Sequence, residues 1–223
     1  MLYTREAVRD NVRNRDGKRV FYLGKGDQLT SDARDFLTQE RIAILPGAQA
    51  KPERYRLLNG GYMERKPEHM THLNGDVLVE KTHPRIVFRG AVDLLEAELL
   101  LCCAMSAGAI RSQLEEALNH TRNLLRDEVL DQPVTEETLG GMDAQQLRER
   151  SHRPQDFYGK PHFMPTPEDG AVLLQINRAR CAARAAELAA VAAFSPNRED
   201  LLRAFNRLSS FLYLIMIQLK TPK

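Results

Sequence analysis

The sequence is poor in cysteine, in net charge and in long apolar runs, and each shortage removes a class of protein. Three cysteines in 223 residues, Cys102, Cys103 and Cys181, show no paired spacing. They make no disulfide framework and read as free thiols of a reducing compartment. Lys and Arg number 32 against 30 Asp and Glu. No general nucleic-acid or membrane-surface binder is therefore expected, although a local basic cluster could hold a small polyanion. The longest apolar stretches, Leu99–Met105 and Phe211–Ile217, fall far short of the ~20 residues that span a bilayer and read as helix interiors. Residues 1–20 carry Arg and Asp without an apolar run, so no secretory leader is expected.

What is present falls into three stretches. Residues 1–50 alternate short elements: a helix Arg5–Val12 that Thr4 can cap, a strand Lys18–Leu23, a helix Ser31–Gln39 that Thr30 can cap, and a strand Ile42–Leu45 stopped by Pro46-Gly47. This is a small α+β module. Residues 51–70, with Pro52, Gly60, Gly61 and Pro67 and little periodicity, read as a linker or mobile loop. Residues 71–223 turn helical from Pro84. A helix Arg85–Ser106 is broken at Gly108. The next places Ile110, Leu114, Leu118, Thr121 and Leu125 on one stripe and stops before Pro133. Thr135–His152 holds one or two shorter helices. Residues 153–167, with Pro154, Pro161, Pro165 and Pro167 among Phe157, Tyr158 and Phe163, read as an ordered loop. A long helix Glu168–Phe194 follows. Ser195-Pro196 ends it and can start a last helix through Leu219. The expected fold class is mainly α: a four- to five-helix antiparallel bundle with a small N-terminal α+β module.

Ionisable residues inside these apolar helices carry the most information. Arg89 and Asp93 are i, i+4 neighbours. Arg180, Arg184 and Glu187 share one face amid Ala, Leu and Cys. Arg203, Asn206, Arg207 and Ser210 line another stripe. One reading is a solvated face laced with ion pairs, each contributing ~0–1 kcal/mol. The other is phosphate binding, because a guanidinium fork matches phosphate oxygens two hydrogen bonds at a time. The turn Thr71-His72-Leu73-Asn74-Gly75-Asp76, followed by Lys81, is either an ordinary turn before a strand or a second set of phosphate donors.

These pieces occur in an order that resembles the ATP:corrinoid adenosyltransferases. Thr71–Glu96 resembles their early segment of Thr and Gly, then Lys, then Pro-Arg-Ile, then Gly-x-Val-Asp. Arg180-Cys-Ala-Ala-Arg184-Ala-Ala-Glu187 is similar to their arginine helix, and Asn206-Arg207-Leu208-Ser209 to their Asn-Arg-Leu-Ser signature. The resemblance covers residues 71–218. Leu29–Leu37, Ser151–Pro154 and Ser210 resemble the ethanolamine-utilisation branch. The chain departs from that branch in three places. No cysteine precedes Cys102, so the branch's cysteine-rich metal site is missing and no metal held by a protein cluster is expected. Ala185 replaces the second arginine of an Arg-Arg pair, and Lys66–Met70 replaces a glycine-rich stretch.

The resemblance implies that cobalt of cob(I)alamin attacks C5′ of ATP and expels triphosphate. Lys81, Arg180 and Arg184 would hold the triphosphate, with Thr71 and Gly75 as loop donors and Asn206 on the nucleotide. Glu187 and Asp93 would orient the arginines or contact the Mg²⁺ carried by ATP. The residues expected to carry catalysis are thus Arg184, Arg180 and Asp93. Phe157, Tyr158, Phe163 and Met164 would supply apolar bulk beneath the corrin ring, or simply pack on the bundle. ATP, cobalamin and a cobalamin reductant are the implied partners, with a homo-oligomer (trimer or dimer) and microcompartment proteins. A cytoplasmic place, within or near a bacterial microcompartment, is implied. Two other readings stay open: a nucleotide- or cobalamin-binding scaffold without turnover, and a purely structural bundle.

Overall fold

The computed structural model describes residues 2–15, 18–46, 54–135 and 138–220. The chain divides into two compact units, Met1–Glu68 with Gly75–Leu78, and His69–Asn74 with Val79–Lys223.

The first unit opens with β1 (Leu2–Tyr3), α1 (Arg5–Asp10), β2 (Arg13–Arg15), β3 (Lys18–Leu23), β4 (Gln28–Leu29), α2 (Ser31–Gln39) and β5 (Ala43–Pro46). Both threonine caps form: the hydroxyl oxygens of Thr4 and Thr30 accept the backbone N–H of Ala7 and Ala33 at 3.4 and 3.3 Å. Helix α1 stops at Asp10 instead of reaching Val12, because the N–H of Asn11 closes on the Val8 carbonyl and the chain enters β2. Strand β3 pairs antiparallel with β2 and parallel with β5, with Val20 opposite Ala43. A parallel pair needs a crossover, and the chain through α2 supplies it. Val8, Phe21, Leu29, Ala33, Phe36, Leu37 and Ile42 form the core.

The stretch expected to be a linker holds two strands, β6 (Tyr55–Leu57) and β7 (Tyr62–Met63), paired antiparallel across a turn in which Gly60 has φ +84°. Strands this short leave no readable period in a sequence. Gly47 and Pro52 lie outside the described residues. Strands β8 (Met70–Asn74) and β9 (Val77–Glu80) follow. The first residues of β9, Val77 and Leu78, pair in parallel with Arg56 and Leu57. Gly75 has φ +54°, a conformation glycine adopts without steric cost.

The second unit is the expected bundle: α3 (Pro84–Met105), α4 (Gly108–Val129), α5 (Ala144–His152), α6 (Pro154–Tyr158), α7 (Gly170–Phe194) and α8 (Glu199–Leu219). Proline opens α3 where a missing N–H costs nothing, and His83 Nδ1 accepts the N–H of Arg85 at 3.2 Å. Helix α7 packs against α3 and α8, α3 against α4, and both α4 and α5 against α8. Buried Ala179, Ala182, Ala183, Ala186 and Ala190 give α7 thin sides, so its neighbours approach closely. Phe88 meets Phe194 and Phe205 edge-on at 5.2 and 5.5 Å. Buried Glu98 on α3 takes Gln175 and Arg178 of α7, each at 2.5 Å.

Two expectations are corrected here. The proline-rich stretch is not all loop, because Pro154 sits in the tolerated first turn of α6 and Gly159, at φ +64°, ends it. Pro196 does not start the last helix. Residues 195–198 form a turn, and α8 begins at Glu199. Among the described residues, no helix is long and apolar enough to cross a membrane.

The start of α8 is tied to the segment after α4 through Asp200, which accepts the N–H of Val134 at 2.9 Å and the Arg198 Nε–H at 2.9 Å. Burial pushes this carboxyl up. Hydrogen bonds from Arg198, Val134 and Leu201, with the Arg198 charge, outweigh burial and hold it at about 2, against 3.8. A depressed carboxyl contributes stability that is present above 3.8 and is lost as pH falls through about 2. Asp200→Asn should therefore cost about 2 kcal/mol at neutral pH and remove much of the acid-dependent loss in that window. Denaturant midpoints of both proteins across the window check this; parallel curves would reject it.

Candidate functional site

Helix α7 places Arg180 and Arg184 one turn apart. Both line a cavity of about 330 Å³ with Ser151 and His152 of α5, His162, and Ser209, Ser210 and Tyr213 of α8. Arg180 is half-buried, and its Nε and a terminal nitrogen donate to Asn177 Oδ1 at 3.1 and 2.9 Å. Arg184 is exposed and has no ion-pair or hydrogen-bond partner among the described residues. Among the described residues, no Asp or Glu lines the cavity. Two guanidiniums without a carboxylate beside them suit an oxyanion.

The other expected site residues are distributed around this cavity or away from it. Glu187 does not orient either arginine; its carboxylate accepts Asn206 Nδ2–H at 2.7 Å, joining α7 to α8. Asn206 in turn accepts from Arg207 at 3.0 Å, and its carbonyl takes the hydroxyls of Ser209 and Ser210 at 2.9 and 3.2 Å. Asp93 is exposed on α3 and does not pair with Arg89, which clamps buried Glu128 instead. Thr71 is half-buried on β8 and Lys81 is exposed after β9; neither lines the cavity.

The polar stripe of α8 divides. Ser210 faces the first cavity, whereas Arg203 and Arg207 line a second of about 330 Å³ with His120, Leu139 and Leu147. Burial, then the like charges of Arg148 and Arg203, hold the Arg207 guanidinium below its usual value.

Of the four apolar candidates, Tyr158 and Phe163 pack against the bundle core. Phe157 is exposed on α6 under the Arg150 guanidinium, and Met164 is 84% exposed. The segment from Lys160 to Met164 is fixed to α8. Lys160 Nζ donates to the carbonyls of Ile217 and Lys220 at 2.9 and 2.6 Å. Phe163 and His162 both stack on Tyr213, with ring centres at 5.9 and 5.7 Å.

His162 and Tyr213 were missed from sequence because one sat in a proline-rich stretch and the other in an apolar run. The signal for Tyr213 was its spacing: Asn206, Ser210 and Tyr213 are i, i+4 and i+7. Among the described residues, no group of three or more His, Cys, Asp and Glu side chains gathers to hold a metal. Burial pushes the Cys102 thiol up to about 12, which makes it a packing residue.

Residues 61–219 match the sequence model of a family described as cobalamin adenosyltransferase. The chain is 30% identical, over 158 residues, to the corrinoid adenosyltransferase EutT of Salmonella typhimurium strain LT2. It is 28% identical over the same length to proteins of that name from Escherichia coli strains K12 and CFT073. Each match covers 69% of this chain and 59% of the relative, so the chain spans about three-fifths of the length of the curated relatives it matches.

Proposed function

The chain belongs to the cobalamin adenosyltransferase family, and from that premise we propose that it transfers the 5′-deoxyadenosyl group of ATP to the cobalt of reduced cobalamin. The observation that carries this is the Arg180–Arg184 cavity, cationic and without an acidic lining residue among the described residues. In the reaction the cobalt(I) electron pair forms the Co–C5′ bond while the C5′–O bond breaks. Triphosphate leaves with that bond's electrons. The protein supplies no nucleophile. Its work is to align cobalt with C5′, to neutralise the departing charge and to exclude water.

Arg184 and Arg180 are the groups assigned to the leaving triphosphate, where their attraction grows as charge develops. Asn206, held by Glu187, would face the nucleotide. Thr71, Gly75 and Lys81 would supply further phosphate contacts, and Asp93 would act beside Mg²⁺ bound to ATP. The exposed side chains of Phe157 and Met164 are the apolar surface offered to the corrin ring, with Tyr158 and Phe163 holding them in place. Exposed Val87, Leu94, Leu101 and Met105 on α3, with Leu188 on α7, support a homo-oligomer. The same reading includes a cobalamin reductant as partner and a place in or near a bacterial microcompartment.

Ala185 is exposed where the family motif carries arginine. This favours a second reading, in which the chain binds nucleotide or cobalamin without turning over. Anaerobic incubation with ATP, Mg²⁺ and cob(I)alamin separates the two. Loss of the cob(I)alamin spectrum with matching adenosylcobalamin and triphosphate is the expected result. Binding without product would leave the second reading standing.

A further inference from the structure

The hydrogen bonds around His162 fix where its proton sits. Nε2 lies 3.1 Å from the carbonyl oxygen of His152, which can only accept, so Nε2 carries hydrogen. A neutral imidazole has one N–H, so Nδ1 is bare. Nδ1 lies 3.1 Å from the Tyr213 hydroxyl, which must therefore donate to it. The Tyr213 oxygen also accepts the backbone N–H of Phe163 at 3.3 Å. A single directed chain results, from Phe163 N–H through Tyr213 O–H to His162, and on to the His152 carbonyl. While His162 is neutral, the one hydrogen of the Tyr213 hydroxyl is committed to His162 Nδ1 and not to an anion in the Arg180–Arg184 cavity.

Adding one proton to His162 reverses the middle link. Nδ1–H becomes a donor to the Tyr213 oxygen, whose lone pairs are then occupied by His162 and Phe163. The phenol hydrogen has lost its acceptor and is free to turn into the cavity that both rings line. We propose that Tyr213 is a third anion contact of this cavity, switched on by protonation of His162, so that binding the phosphate chain of ATP draws one proton from solvent onto His162. Among the described residues, the charged and titratable groups lining the cavity with His162 are Arg180 and Arg184 from α7, His152 from α5 and Tyr213 from α8. Lys160, on the same segment as His162, is turned to the carbonyls at the end of α8. A bound polyanion favours the charged ring, and the coupling is reciprocal: the protonated protein binds the anion more tightly. Histidine is the side chain whose charge changes in the neutral range, which makes the switch usable there.

This inference rests on ATP entering the cavity, and the test separates the two ideas. Histidine Cε1–H signals report ring charge and are followed by NMR at one fixed pH near neutrality, with and without MgATP; His162→Gln assigns the signal. MgATP should move the His162 signal toward the charged-ring position in the unaltered protein. Tyr213→Phe keeps the stacked ring and should abolish that movement while weakening MgATP binding about tenfold. If MgATP binds and perturbs other signals but leaves the His162 signal where it was, the proton link is wrong and the ATP reading stands. Full movement in Tyr213→Phe would also overturn it, because protonation would then not pass through the phenol. Failure of MgATP to bind would overturn both.

Discussion

Arg184→Ala should lower kcat and kcat/KM for ATP together, by about 10- to 100-fold, and leave the melting temperature in place. The size follows from one charge-assisted contact to the leaving group, worth roughly 1.5–3 kcal/mol. The shared fall follows from timing. An interaction that strengthens as triphosphate acquires charge is lost mainly from the transition state, so both constants drop. The unchanged melting temperature follows from the side chain's setting: Arg184 is exposed and unpaired among the described residues, so its removal orphans no buried group. Arg184→Lys should recover only part of the rate, because an ammonium lacks the planar fork that meets two phosphate oxygens. Had Arg184 been one half of an ion pair with Glu187, alanine would unfold the protein more readily and spare the rate of what stayed folded. Glu187 is instead engaged by Asn206. Measuring melting temperature beside active-site-normalised kcat decides, and an unchanged rate in stable protein would remove Arg184 from the site.

What the sequence makes legible is what short-range spacing encodes. Thr4 and Thr30 were visible as caps because a cap needs only a side-chain oxygen three residues from its N–H. The long helices were visible because their buried faces repeat with the helical period. Arg180 and Arg184 were visible as a pair for the same reason, and the structure puts both on one cavity. The errors lie where a partner is far away in sequence. Strand β6 pairs with β7 on one side and with Val77 and Leu78, some twenty residues on, on the other, and at three residues it is too short to carry its own sign of being a strand. Glu187 and Asp93 looked like partners for nearby arginines because they share a helix with them. The actual partner of Glu187 comes from α8, and that of Arg89 comes from α4. His162 lies 51 residues from Tyr213, and only the packing of the proline-rich segment on α8 joins them.

Glu128→Ala should be strongly destabilising, costing about 3–5 kcal/mol and lowering the melting temperature by roughly 6–20 °C. Its carboxylate is fully buried and takes Arg85 Nε–H at 2.6 Å and Arg89 Nε–H at 2.8 Å, with a further bond from Arg89 at 3.3 Å. Arg89 also donates to the Leu73 carbonyl at 2.9 Å, and Arg85 to the Glu128 carbonyl at 3.1 Å. The cluster thus fixes the first turns of α3 to the last turn of α4 and to β8. Removing the carboxylate leaves two guanidiniums, 26% and 18% exposed, facing one another without a counter-charge. The penalty comes chiefly from that stranded charge rather than from the lost attraction, since a buried pair roughly balances its own desolvation. Three further variants follow from this. Glu128→Gln keeps the shape and one acceptor oxygen but not the charge, so it should lose less than alanine. Adding Arg89→Met to Glu128→Leu should return part of the stability, because it removes a stranded cation and adds apolar contact. Denaturant midpoints of the four variants, Glu128→Leu alone included, test the account, and an Arg89→Met addition that only deepens the loss would mean the hydrogen bond to Leu73, not the charge balance, holds this corner together.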